Sequence, residues 1–310
     1  MARRWLDYKT GAWVQWCPGC GDFGILNAIY GALAELDIDP ARLVVVGGIG
    51  CSSRSVYYIK GSNVHTVHGR AIPVASGIKL ANPELTVIVT GGDGDLLGIG
   101  GNHFTALGRR NIDIAIFIYD NAVYGLTKGQ AGPTLPLWVK TKALTHPNIQ
   151  GNVNPLLLAF AAGYTFIARG YAYHVNQLRG LVKAAILHKG SAVVDILQPC
   201  PTYNDFMTQE WYEKRIYYLS DEDPSWDPVI RSPEDVKVKA PRILEKMLET
   251  GDRIPLGVFL QDLTKETMEE RLDKVMPGYL KTPPAKRPID VKGRIPLHPF
   301  RIFKDKLLET

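Results

Sequence analysis

An α/β fold, with a parallel sheet and helices on both faces, is what this 310-residue sequence predicts. Three observations predict it. Segments of helical periodicity alternate with short apolar runs. The apolar runs are near-continuous, as in strands buried on both faces. Glycine-rich clusters follow several of these runs, and in such sheets ligands bind beyond the carboxyl ends of the strands.

The elements follow in order. Ile25, Leu26, Ile29, Leu33 and Leu36 recur at helical spacing, and Asp39-Pro40 ends that run. Leu43–Val46 reads as a short strand ending in Gly47-Gly-Ile-Gly50. A helix over about 71–81 stops at Asn82-Pro83, and the strand 85–90 is broken by Gly91-Gly92. A glycine-spaced helix precedes the strand 112–119, and a helix near 174–188 leads to the strand 192–197.

Composition changes near residue 220. The first 220 residues hold 26 of the 30 glycines, whereas the last 90 hold 11 of the 21 prolines. The sequence therefore divides into an α/β domain, 1–220, and a Pro-rich C-terminal extension, 221–310, that wraps the core or contacts a partner. Net charge is +5, and residues 281–310, with eight Lys/Arg against three Asp/Glu, account for it. That tail reads either as a solvated end or as a docking arm for an acidic partner. A charge-balanced body without a recognition motif excludes a nucleic-acid-binding protein. No apolar run is long enough to span a membrane and the N-terminus is polar, so the chain reads as cytoplasmic.

Two strand ends carry the chemistry. One runs into Gly91-Gly92-Asp93-Gly94-Asp95, the next into Asp120-Asn121-Ala122-Val123-Tyr124-Gly125. A divalent cation clamping a diphosphate needs oxygens from well-separated points. Asp93 offers a carboxylate, Asn121 an amide oxygen and Val123 a backbone carbonyl, which makes a magnesium–diphosphate site. Gly92 and Gly94 let the backbone approach the phosphates. Alone, Gly-Asp-Gly is an ordinary turn; the second strand end makes it more. The glycines do not complete a dinucleotide-binding G-x-G-x-x-G.

Cys17, Cys20, Cys51 and Cys200 form a four-thiolate set from three loops. By spacing alone it suits a [4Fe–4S] cluster or a zinc ion about equally.

Gly92-Asp93-Gly94 followed at a gap of 25 residues by Asp120-Asn121 resembles the thiamine-diphosphate motif, with Asp120 where that family has its first Asn. The ordered set Trp16-Cys-Pro-Gly-Cys-Gly21, Gly48-Ile-Gly-Cys-Ser52, His68-Gly-Arg70, Gly92-Asp-Gly94 and Tyr124-Gly-Leu-Thr127 resembles the β subunit of 2-oxoacid:ferredoxin oxidoreductases, the pyruvate:ferredoxin oxidoreductase family. The resemblance covers about residues 10–205 strongly and the Pro-rich tail weakly.

The resemblance implies three cofactors: thiamine diphosphate, Mg²⁺ and a [4Fe–4S] cluster. Cys17, Cys20, Cys51 and Cys200 would hold the cluster. Ile49, Gly50, Cys51, Ser52, His68, Gly94, Asp95, Gly125 and Leu126 would line the thiamine cofactor, and Asp93, Asn121 and Val123 would hold the metal. His68, like His65, also has a plain reading as a core histidine. The implied reaction is coenzyme A-dependent oxidative decarboxylation of a 2-oxoacid, with ferredoxin taking the electrons. The implied partner is an α subunit with the pyrimidine-binding domain, without which this chain is inactive. Lys128 stands where many pyruvate-specific relatives have Gly, so it is a candidate to pair with the second carboxylate of 2-oxoglutarate. Two other readings stay open: a non-redox thiamine decarboxylase subunit with a zinc site, and a non-catalytic electron-transfer scaffold.

Overall fold

The computed structural model describes residues 3–287 and the backbone of two short strands, Asp290–Val291 and Ile295–Pro296. Most of the basic tail read from the sequence lies outside the described residues.

Nine strands form the main sheet. Across it run Val229–Ile230, Ile254–Asp262, Phe166–Tyr171, Ala192–Leu197, Ala115–Asp120, Thr86–Gly92, Leu43–Gly47 and Val64–His65, with Ile216–Tyr218 pairing Ile254–Asp262 off this path. From Phe166–Tyr171 to Val64–His65 every pairing is parallel; only Ile254–Asp262 runs antiparallel to its neighbour Phe166–Tyr171.

Successive strand residues point to opposite faces, and the sheet divides its apolar side chains accordingly. Val45, Phe117 and Val194 pack with Ile25, Ile29 and Leu33 of helix Asp22–Glu35 and Leu178 and Val182 of helix Val175–Leu187. Val44, Val46, Ile116, Ile118 and Val193 face the other way, toward helices Ala71–Ala81, Gly101–Arg110, Pro155–Ala162 and Pro233–Leu248. The α/β expectation holds. The helix expected over 71–81 is Ala71–Ala81, and that expected near 174–188 is Val175–Leu187.

The strand expected to break at Gly91-Gly92 instead runs through both, as Thr86–Gly92. It then enters a π-helical turn, Gly94–Ile99, closed by the amide of Gly100 on the carbonyl of Asp95 at 3.0 Å. Such wide turns recur at functional sites.

Helix Pro155–Ala162 and strand Phe166–Tyr171 were not apparent in the sequence. The strand carries Arg169 and Gly170 in its interior, which masks it; Arg169 is buried against Asp195 of the next strand at 2.8 Å. The segment 221–287 contributes the Ile254–Asp262 strand and a helix, Pro233–Leu248, that continues through Pro241. Ile243, Met247, Phe259 and Leu260 are buried in the same core as the front strands. Among the described residues no helix is long and apolar enough to cross a membrane.

Candidate functional site

A cavity of about 140 Å³ opens at the carboxyl ends of Leu43–Gly47, Thr86–Gly92 and Ala115–Asp120. All twelve residues assigned from the sequence to the thiamine cofactor or its metal line it, drawn from four separate segments of the chain. Larger hollows of about 360 and 770 Å³ exist; the first lies beside this site, with Asp120 and Thr134 in its wall.

Asp95 organises the entrance. Its buried carboxylate accepts the amides of Ile49 at 3.0 Å and Gly69 at 2.8 Å, and pairs with His68 Nδ1 at 2.5 Å. One side chain thereby ties three segments together. Gly48 must lack a side chain, because its Cβ would lie 1.9 Å from Asp95 Oδ2. That oxygen has no hydrogen-bond partner. His68 is therefore held from behind, with its ring edge-on to Tyr124 at 6.2 Å.

Deeper in, Asp93 and Asp120 are both buried and share the hydroxyl of Thr134, at 3.0 and 2.5 Å. Burial pushes the Asp93 carboxyl up to about 7. It raises Asp120 well above the carboxylate range, reinforced by the charges of Asp195 and Asp93. One hydroxyl has one proton to give, so the set closes if a neutral Asp120 donates to Thr134 and Thr134 donates to Asp93.

Asn121 accepts the Val123 amide at 3.1 Å, gives its own NH₂ to Gln198 Oε1 at 2.7 Å, and its carbonyl accepts from Asn204 at 3.0 Å. Ala122, at φ +62°, lets Asn121 and Val123 face the same cavity. These residues fit a cation clamped to a diphosphate. Asp93 is buried in the cavity wall, glycines line the approach, and hard oxygen donors stand on two strand ends. Tyr124, which opens the Tyr124-Gly-Leu-Thr127 motif but was given no role from the sequence, lays its ring over Gly94, with its hydroxyl 3.5 Å from the Gly94 carbonyl, and adds a wall.

The thiols gather at the same end. Cys51 Sγ and Cys200 Sγ each lie 3.9 Å from the point a Cβ on Gly125 would occupy, which bounds their separation at twice that distance. Burial pushes the Cys51 thiol up to about 11 and raises Cys20 and Cys200 as well, with Asp22 adding to each. The Asn204 amide donates to the Cys200 carbonyl at 3.0 Å, which holds the turn that carries this sulfur. Gln198 Nε2 reaches Cys20 Sγ at 3.4 Å. Thiols raised in this way stay protonated unless a cationic group takes the thiolates, and an N–H donor at sulfur, as Gln198 gives Cys20, suits an iron–sulfur cluster. Among the described residues no group of three or more His, Cys, Asp or Glu is arranged to hold a single metal ion.

Cys17 is exposed, and its carbonyl accepts the Cys20 amide at 3.0 Å. Trp16 caps the region, donating from Nε1 to the Cys51 carbonyl at 2.7 Å. Lys128 is exposed, one residue beyond the pocket wall at Thr127, with φ +80°. His65 is exposed, away from the cavity, and bonds Tyr57.

Comparison with known proteins agrees with this geometry. The family model described as thiamine pyrophosphate enzyme, C-terminal TPP binding domain, matches residues 48–196. A second model, for the C-terminal part of the pyruvate ferredoxin oxidoreductase beta chain, matches residues 200–276. The 2-oxoacid:ferredoxin oxidoreductase 2, subunit beta, of Aeropyrum pernix is 68% identical over 308 residues, covering 99% of either chain. The 2-oxoacid:ferredoxin oxidoreductase subunit beta of Saccharolobus solfataricus is 54% identical, over 91% of this chain and 93% of its own. A solved structure of 2-oxoglutarate:ferredoxin oxidoreductase from Magnetococcus marinus, with 2-oxoglutarate, coenzyme A and succinyl-CoA bound, superposes with a TM-score of 0.81 at 35% identity, covering 88% of this chain and 89% of that one. The chain belongs to the β subunits of the 2-oxoacid:ferredoxin oxidoreductases.

Proposed function

We propose that this β subunit holds thiamine diphosphate through Mg²⁺, beside a [4Fe–4S] cluster. In this reading it catalyses the coenzyme A-dependent oxidative decarboxylation of 2-oxoacids with an α subunit that supplies the pyrimidine-binding domain. The observation that carries this reading is the double position of Cys51. It lines the diphosphate cavity and, across Gly125, stands beside Cys200. A cluster held by these thiolates would adjoin the cavity and could accept electrons from it.

Asp93, Asn121 and Val123 would hold the metal, and the glycine backbone at 92–94 the phosphates. Ile49, Gly50, Ser52, Gly125 and Leu126 would pack the cofactor body. His68, fixed by Asp95, presents its remaining ring nitrogen as a donor or acceptor beside it. Cys17, Cys20, Cys51 and Cys200 would hold the cluster. When bound, thiamine diphosphate supplies the carbanion that decarboxylates a 2-oxoacid, and the cluster takes electrons singly and passes them to ferredoxin.

Lys128 would pair with the second carboxylate of 2-oxoglutarate, alongside use of pyruvate. Support comes from the solved relative, which carries 2-oxoglutarate, and from a relative 41% identical over 222 residues named 2-oxoglutarate oxidoreductase subunit KorB, of Mycobacterium tuberculosis.

The test is anaerobic purification of the native chain and of Cys200→Ala, with iron, sulfide, zinc and thiamine analysis. Iron and sulfide in the native chain, largely lost with the visible absorption in Cys200→Ala, are expected. Stoichiometric zinc without iron would overturn the redox reading.

A further inference from the structure

Gln198 touches both halves of the proposed site. Its side chain is buried, at the end of the Ala192–Leu197 strand. Oε1 accepts from Asn121 Nδ2 at 2.7 Å, while Nε2 donates to Cys20 Sγ at 3.4 Å and to the Pro199 carbonyl at 2.7 Å. The amide orientations are fixed rather than arbitrary. The Pro199 carbonyl can only accept, so the nitrogen of Gln198 must face it and Cys20. The Val123 amide can only donate, so the oxygen of Asn121 must face it and its NH₂ must face Gln198. Space for this arrangement is reserved by Gly21, whose Cβ would lie 2.9 Å from Gln198 Cγ.

We propose that Asn121 and Gln198 form an amide relay through which binding at the metal site tunes the redox potential of the cluster. The inference rests on the reading above. Coordination at Asn121 Oδ1 withdraws electron density across its amide and makes its Nδ2–H a stronger donor. Gln198, receiving that bond at Oε1, becomes in turn a stronger donor at Nε2. Hydrogen bonds in series polarise one another. A stronger N–H···S bond favours the more electron-rich, reduced cluster, because donors to the sulfurs raise the potential. Loading the diphosphate site therefore makes the cluster a better electron acceptor. By linkage, reduction of the cluster tightens the diphosphate site by the same factor. Gln198 is a positioning residue: it touches neither substrate nor cofactor and acts through Asn121 and Cys20.

The experiment is an EPR-monitored redox titration of the α–β complex, with and without Mg²⁺–thiamine diphosphate, in the native protein, Gln198→Leu and Gln198→Glu. Leu removes both contacts. Glu keeps an acceptor for Asn121 at nearly the same volume, removes the N–H facing Cys20, and guards against a Leu variant that fails to fold. The charge of the bound cofactor acts directly on the cluster in every variant, so the difference between variants isolates the relay. Expected is a shift on loading that is more positive in the native protein than in either variant, with cofactor affinity kept in Gln198→Glu. A shift of native size in either variant overturns the relay. Iron and thiamine content of the native complex, measured on the same samples, reports separately on the underlying reading.

Discussion

The two edges of one sheet put their buried polar groups to different uses. At the amino edge, Asn111 Oδ1 accepts from the Thr165 hydroxyl at 2.9 Å and from the Ser191 amide at 2.8 Å and hydroxyl at 3.2 Å, while its NH₂ serves the Glu266 carbonyl at 3.0 Å. Unpaired buried atoms occur at both edges: Nδ1 of His188 and Oε2 of Glu269 at the amino edge, both oxygens of Asp22 and Oδ2 of Asp95 at the carboxyl edge. Burying an unpaired polar atom costs free energy. What differs is what the polar groups face: Asn111 ties separate segments of the core together, whereas Asp93 and Asp95 line the cavity. Stability and function are thus separated by the length of a strand.

The sharpest way to break this comparison is Asn111→Ala. It removes an acceptor shared by three donors and places Ala at φ +51°. A loss of about 4 kcal/mol is expected in chemical unfolding of the cofactor-free chain. A loss below about 1 kcal/mol would show that the network does not close the core.

His188 supplies a pH test of the same edge. Its Nε2 meets Thr165 at 2.7 Å, and burial holds the imidazole down at about 4. The unfolded chain therefore binds the extra proton between roughly pH 6.5 and 4. The stability this histidine contributes is complete above the unfolded value and is lost as pH falls through that window, by up to about 3 kcal/mol. His188→Gln is expected to flatten the slope of unfolding free energy against pH there; an unchanged slope would contradict the assignment.

On the carboxyl edge the sign reverses. Asp93→Asn is expected to weaken Mg²⁺–thiamine diphosphate binding by about a hundredfold, near 2.7 kcal/mol. Without cofactor it leaves the chain as stable as before or more so, since a buried carboxylate has become a neutral amide. Calorimetric titration and unfolding of the same samples check both, and a destabilised variant with native affinity would invert the comparison.

The smallest effect is at Lys128, which is exposed. Gly there would also relax the positive φ, so Lys128→Met isolates the charge. Its kcat/KM for 2-oxoglutarate relative to pyruvate is expected to fall about tenfold in the assembled enzyme. An equal change on both substrates removes the selective role.

What was legible in the sequence was whatever sits on a strand end. Gly92-Asp93-Gly94 and Asn121 could be read because a diphosphate–metal site needs glycine, carboxylate and amide oxygen at turns, whatever packs behind them. The supports could not. Gln198 lies 77 residues from Asn121 and 178 from Cys20, so nothing local marks it. Thr134 is an ordinary loop threonine until Asp93 and Asp120 close on it. Phe166–Tyr171 was hidden by a buried arginine whose partner is on another strand, and Ile254–Asp262 by Pro255 and Gly257 within it.

The Ile254–Asp262 strand also sets a schedule. Its neighbour Phe166–Tyr171 leaves the ribosome more than 80 residues earlier. At about 5–20 residues per second that is several seconds of synthesis with an unpaired, largely apolar strand edge. The nascent chain must shield that edge for this interval, and a message truncated near codon 220 would yield a product that never covers it. Expression of such a fragment should therefore end in aggregates, even though it carries every residue assigned to the cofactors.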